Sequence, residues 1–123
     1  MSDISSLLII DDEAAVRDSL VAIFKDQKVS RICAVASAEE AFGVMTAEPF
    51  TLIICDYKLK GMNGVAFMGR LRIKRDMTPI LFITGVPDHD EVTQAAMQLN
   101  AGFLGKPFTI EQLLGSVETL LSR

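Results

Sequence analysis

Basic residues are not in excess in this sequence. Twelve Lys and Arg stand against sixteen Asp and Glu, a formal net charge of −4. A nucleic-acid-binding domain would carry a basic footprint, so no nucleic-acid partner is expected. Long apolar runs are missing too, and none approaches the roughly 20 residues needed to span a bilayer. The N-terminus lacks the basic and apolar regions of a signal peptide. No membrane partner is expected, and the expected location is cytoplasmic. Cysteine is scarce: Cys33 and Cys55 are the only two. Each falls in an apolar, strand-like run, and both read as buried thiols. His89 is the only histidine. Beside Asp88, Asp90 and Glu91 it reads as part of a solvated loop, with Asp88 or Asp90 capping the next helix, rather than as a transition-metal site. No linker, low-complexity tract or internal repeat divides the chain. Its 123 residues suffice for one domain, residues 1–123, with a core of its own, and not for two.

What is present is a series of short apolar runs separated by helical patterns. Leu7 to Ile10 is the first run, and it ends in Asp11-Asp12-Glu13. Val16, Leu20, Ile23 and Phe24 then recur at helical spacing, giving a first helix to about Lys25. Arg31 to Ala36 is the second strand. Ser37 and Glu40 form a capping box, and the helix that follows buries Ala38, Ala41, Phe42 and Met45. Leu52 to Cys55 is the third strand, rich in β-branched residues and closed by Asp56. A third helix starts near Val65 and buries Met68 and Leu71. Pro79 to Ile83 is the fourth strand, ending in Thr84-Gly85. The loop from Val86 to Asp90 leads to a helix with Val92, Ala95, Ala96 and Leu99 on one face. Gly102 to Leu104 is a short fifth strand, followed by Lys106-Pro107, where a cis peptide is expected. Thr109 and Gln112 make a second capping box. The last helix buries Leu113, Leu114, Val117, Leu120 and Leu121.

Strands alternating with helices imply parallel βα units. The expected fold is therefore α/β: a flavodoxin-like, doubly wound (βα)5 with a five-stranded parallel sheet in the order 2-1-3-4-5. In that order the two cysteine strands are separated by another strand. Two strand spacings are about 9.5 Å, beyond disulfide reach.

Each polar feature has a plain alternative when taken alone. Asp56 could merely cap the next turn, Asp11-Asp12 could merely open a helix, and Thr84 could be a cap. Their joint placement says more, because the four signals fall at the carboxyl ends of strands 1, 3, 4 and 5. Ligands of open α/β sheets gather there. Asp11, Asp12 and Asp56 would meet and repel one another unless some take up protons or a cation sits among them. Hard oxygen ligands without His or Cys favour Mg²⁺, Mn²⁺ or Ca²⁺. With Thr84 and Lys106 at the neighbouring strand ends, the set is equipped for phosphoryl transfer onto Asp56. Tyr57 falls on the rim of the site and receives no chemistry.

The motifs resemble, from end to end, the receiver domain of two-component response regulators, chemotaxis regulators included. The matching residues are Asp11-Asp12, then Asp56 with Gly61-Met62-Asn63-Gly64, then Ile83-Thr84-Gly85, then Phe103-Leu104-Gly105-Lys106-Pro107-Phe108. The resemblance implies that Asp56 accepts a phosphoryl group from a histidine kinase or phosphotransfer protein. It implies Mg²⁺ held by Asp12, Asp56 and the Lys58 carbonyl, with Asp11 acting mainly through water. Thr84 and Lys106 would hold the phosphoryl oxygens, and Thr84 with Phe103 would switch the face made by helix 4, strand 5 and helix 5. The implied role is a regulator that catalyses only its own phosphorylation and dephosphorylation. Its partner is a downstream protein, or an output domain if the chain is part of a longer protein.

Three positions depart from the family's habit. Lys60 stands where proline is common. Leu99-Asn100 replaces Gly-Ala, and Phe103 lacks the phenol hydroxyl. A phosphatase or phosphotransferase with an aspartyl-phosphate intermediate is the alternative. Some such enzymes carry a second Asp two residues after the nucleophile, where this chain has Lys58. A phosphorylation-independent interaction domain would predict loss of the acidic pair, Thr84 or Lys106, and all are present.

Overall fold

The structure, a computed structural model, describes residues 4–85 and 100–122. Its elements run β1 (Ser6–Ile10), α1 (Ala14–Asp26), β2 (Arg31–Val35), α2 (Ala38–Ala47), β3 (Leu52–Asp56), β4 (Lys58–Leu59), β5 (Met62–Asn63), α3 (Gly64–Ile73), β6 (Ile80–Thr84), β7 (Ala101–Gly105) and α4 (Ile110–Leu121). Five strands form one sheet in the order β2-β1-β3-β6-β7, all pairs parallel. This is the expected 2-1-3-4-5 order of a flavodoxin-like fold. The expected helix carrying Val92, Ala95, Ala96 and Leu99 lies outside the described residues, as do Val86, His89 and its acidic neighbours.

Alternation along the strands builds two cores. Leu8, Ile10, Ile53, Cys55, Ile80 and Phe82 face α2 and α3 with Ala41, Phe67, Met68 and Leu71. Leu7, Ile9, Leu52, Ile54, Leu81 and Ile83 face α1 and α4 with Leu20, Phe24, Leu113, Val117 and Leu120. Successive side chains of a strand point to opposite faces, so a continuous apolar run is what a sheet covered on both sides requires. β2 is an edge strand and is less covered. Cys33 on it is therefore only half-buried, whereas Cys55 on β3 is fully buried. Both are free thiols, and β1 lies between their strands.

The helix starts match their sequence signals with one correction. Ser37 accepts the Glu40 N–H at 3.1 Å, but the Glu40 carboxylate takes the N–H of Ala36 rather than that of Ser37. Thr109 and Gln112 form the full reciprocal box. Phe42, Met45, Leu114 and Leu121 are partly buried rather than core. A two-stranded antiparallel ribbon, β4 with β5, was not foreseen. Gly61, with φ of +79°, makes the turn between its strands. Asn63 closes the ribbon and caps α3 by accepting the Ala66 N–H at 2.9 Å. Among the described residues, no helix is long and apolar enough to cross a membrane.

Candidate functional site

Register assembles the site. Ile10 pairs with Cys55, Asp56 with Ile83, and Thr84 with Gly105. The residues that end or follow these strands therefore form one row across the sheet: Asp11, Asp56, Thr84 and Lys106. Backbone bonds extend the ladder past the strand ends. Asp11 donates to the Val35 carbonyl at 3.1 Å, Tyr57 to Ile83 at 2.9 Å and Lys106 to Thr84 at 2.8 Å. The lysine is thus fixed beside the hydroxyl residue, and the expected cis peptide joins Lys106 to Pro107.

Asp11, Asp12 and Asp56 each offer a carboxylate oxygen, and these atoms lie within 4.8 Å of one another. Asp11 is buried, while Asp12 and Asp56 are half-buried. One Asp11 oxygen accepts the Glu13 N–H at 2.9 Å, and Arg17 donates to the Asp11 carbonyl at 2.7 Å. One Asp56 oxygen accepts the Lys58 N–H at 3.3 Å. Burial pushes the Asp11 carboxyl above the ordinary carboxylate range. The Glu13 N–H and the Lys106 charge oppose this, and the charges of Asp56 and Asp12 add to it. Burial also pushes Asp56 up, against the Lys106 ammonium and the Lys58 N–H, with Asp12 and Glu13 adding to the rise. The cluster therefore carries more negative charge than its own surroundings neutralise. Three hard oxygen donors with that deficit fit a divalent cation such as Mg²⁺.

Thr84 is buried at 2% exposure and ends β6. Phe103 is half-buried and packs against Phe82 and Tyr57, with ring centroids 5.3 and 5.8 Å away. Lys58 is exposed at the start of the ribbon. The structure thus brings Asp11, Asp12 and Asp56 together with Lys106 near them and Thr84 at the neighbouring strand end, while Phe103 packs in an aromatic cluster beside this row. Sequence reasoning missed two contributors. Glu13 acts on Asp56 through its charge, and the acidic run Asp11-Asp12-Glu13 was the available signal. Tyr57 belongs to an aromatic cluster that only the fold assembles. Cys55, next to Asp56, is no part of the chemistry: burial, the leading cause, lifts its thiol well above the usual range and keeps it protonated.

The family described as the response regulator receiver domain matches residues 7–118. The response regulator protein FleR of Pseudomonas aeruginosa is 32% identical over 116 residues, which make up 92% of this chain and 24% of that protein. The probable chemotaxis protein CheY of Rhizobium etli is 29% identical over 116 residues, 93% of this chain and 90% of that one. The solved structure of the chemotaxis response regulator CheY4 of Vibrio cholerae has a TM-score of 0.81 at 27% identity, covering 94% of this chain and 98% of that one. The chain spans about a quarter of FleR's length and about half that of two further curated relatives. On this match, and on the row of residues described above, the chain belongs to the receiver domain family of two-component response regulators.

Proposed function

We propose that residues 1–123 act as one phosphoacceptor module and that Asp56 is the acceptor. The donor is a phosphohistidine of a histidine kinase or phosphotransfer protein. One observation carries the reading: a half-buried Asp56 shares the open ends of the strands with two further carboxylates and a lysine. An Asp56 oxygen forms a bond to phosphorus, and the phosphorus–nitrogen bond to the donor imidazole breaks with its electron pair left on nitrogen. The Lys106 ammonium favours the ionised, nucleophilic form of Asp56. It is also a donor for the incoming phosphoryl oxygens, as is the Thr84 hydroxyl. Asp12, Asp56 and the Lys58 carbonyl would hold Mg²⁺, with Asp11 reaching it through water. When bound, Mg²⁺ supplies positive charge against the phosphoryl oxygens. Lys58 offers donors but no acceptor while charged. It therefore cannot act, while charged, as the base that turnover on an external substrate would need.

The phosphoryl group adds about −1.5 to −2 charge and three acceptor oxygens beside Thr84. The readout is the side of the sheet formed by β7 and α4. There a groove of about 580 Å³ has Phe103, Gln112 and Ser116 on its walls. A downstream protein or a fused output domain binds that side. The test is intact-mass analysis after incubation with acetyl phosphate, with and without EDTA. One acid-labile phosphoryl group per chain is expected with Mg²⁺ present, and none with EDTA or in Asp56→Asn. An acid-stable adduct on Ser or Thr, or undiminished labelling of Asp56→Asn, overturns the assignment.

A further inference from the structure

Tyr57 follows the acceptor directly and is the only tyrosine in the chain, which has no tryptophan. Its backbone is pinned on both sides. The Tyr57 N–H donates to Ile83 at 2.9 Å, and its carbonyl accepts the Gly64 N–H at 2.7 Å. The Cα–Cβ direction of Tyr57 is therefore set by the ends of β3 and β6 and the start of α3. The ring meets Phe82 edge-on, with centroids 6.1 Å apart and planes at 87°. It meets Phe103 at 5.8 Å and 58°. Phe82 and Phe103 are register partners on adjacent strands, 5.3 Å apart. Edge-to-face and tilted rings at these separations attract through their quadrupoles.

Gly64 makes room for the cluster. A Cβ there would come within 2.5 Å of Phe82 Cε1 and 3.2 Å of Tyr57 Cδ1. Phe82 also lies two residues before Thr84, on the same face of β6. Phe103 thus touches one ring from each of the two strands that carry Asp56 and Thr84. Its own side chain is a plain phenyl, so the position of the ring is read by packing against those two neighbours.

We propose that Tyr57 is a positioning residue that couples Phe103 to the state of Asp56 by direct ring contact, a second route beside Thr84. The inference rests on Asp56 being the phosphoacceptor. A phosphoryl group on Asp56 perturbs the chain at residue 56, and the pinned Tyr57 passes that perturbation to Phe103. The Tyr57 and Phe103 rings are in tilted contact at 5.8 Å, so displacing one alters the packing of the other. The coupling is reciprocal. Beryllofluoride shifts the equilibrium of Phe103 by the same factor by which that shift strengthens beryllofluoride binding.

The experiment uses protein made with 3-fluorotyrosine, which gives a single ¹⁹F resonance from Tyr57. Its shift is measured with Mg²⁺ alone and with Mg²⁺ and beryllofluoride, in the parent and in Phe103→Leu. Asp56 labelling by acetyl phosphate is followed by mass on the same samples. The parent resonance should move on adding beryllofluoride, and Phe103→Leu should reduce the movement at least twofold. Backbone amide shifts supply the second readout. Tyr57→Phe should keep the beryllofluoride-induced changes at residues 101–105, and Tyr57→Leu should cut them at least twofold while remaining folded by circular dichroism. An equal ¹⁹F movement in Phe103→Leu, or full amide changes in Tyr57→Leu, overturns the coupling. A labelled Asp56 with an unmoved Tyr57 overturns the coupling alone. An Asp56 that takes neither phosphoryl group nor beryllofluoride overturns the phosphoacceptor reading and the coupling with it.

Discussion

At the Asp56 carboxyl, burial and neighbouring charge pull in opposite directions, and burial wins: the folded protein holds the group above its ordinary value of 3.8. The sign for stability follows. Between 3.8 and the raised folded value, the folded state binds more proton than the unfolded state. Stability therefore falls as pH rises through that window, and the loss persists at neutral pH. The ionised carboxylate is a standing cost in the metal-free protein. Asp56→Asn keeps an oxygen to accept the Lys58 N–H and removes the charge. In EDTA at pH 7 this variant should unfold at a higher temperature than the parent, and the gap should close below about pH 3, where the parent carboxyl is protonated. Thermal melts across that pH range check the sign. A variant less stable than the parent at pH 7 would show the reverse, with the Lys106 attraction outweighing burial.

The ribbon β4–β5 and the start of α3 show how a short element depends on glycine for two separate reasons. Gly61 has a positive φ of +79° and nothing within 4 Å of where a Cβ would stand. Alanine there is strained by backbone alone, at a cost of about 1–2 kcal/mol. Gly64 has an ordinary backbone, but its Cβ would press on the fully buried Phe82 ring. Overpacking of that kind costs about 1–3 kcal/mol. The helix-propensity gain of alanine over glycine is at most about 1 kcal/mol and smaller in a first turn. Gly64→Ala should therefore lose about 1–2 kcal/mol net, read from the denaturant midpoint. Shortening the obstructing ring supplies the control: Gly64→Ala with Phe82→Leu should be more stable than the sum of the two single losses predicts. Strict additivity would mean that the two side chains do not meet. The sequence showed both glycines but not this difference, because the Gly64 contact spans eighteen residues and arises only when β6 lies beside β3. Glu40 escaped for a local reason. Its spacing from Ser37 marks a capping box, yet the local backbone offers the Ala36 N–H instead.

Across the whole molecule, the legible part of the fold was the part written in apolar runs. Leu7 to Ile10, Leu52 to Cys55 and Ile80 to Ile83 announce doubly covered strands, and the polar residue ending each run announces the row of site residues. Less legible was whatever depends on position in the sheet. Cys33 sits in a run that looks like the others, but β2 is an edge, and only the assembled order shows it. The Tyr57 cluster was hidden because its three rings come from separate places: the end of β3 and the middles of β6 and β7. A sheet held between two cores fixes the strand ends that carry Asp11, Asp12 and Asp56 before any ligand arrives, and this has a thermodynamic consequence. A cation that binds the assembled carboxylates but not the unfolded chain stabilises the whole domain by mass action, about 2.7 kcal/mol at a hundred times its Kd. In a domain of this size that corresponds to a rise of about 10 °C in Tm. Mg²⁺ at pH 7 should produce such a shift, and EDTA should reverse it. Protons compete for Asp11 and Asp56, both of which hold them more tightly than ordinary carboxylates do. The shift should therefore shrink as pH falls through their raised values, at a higher pH than for ordinary carboxylates. The double variant Asp12→Asn with Asp56→Asn should lose the Mg²⁺ shift while its melt stays cooperative. An equal shift in parent and double variant would mark a general salt effect, and the assignment of these carboxylates to Mg²⁺ would fall.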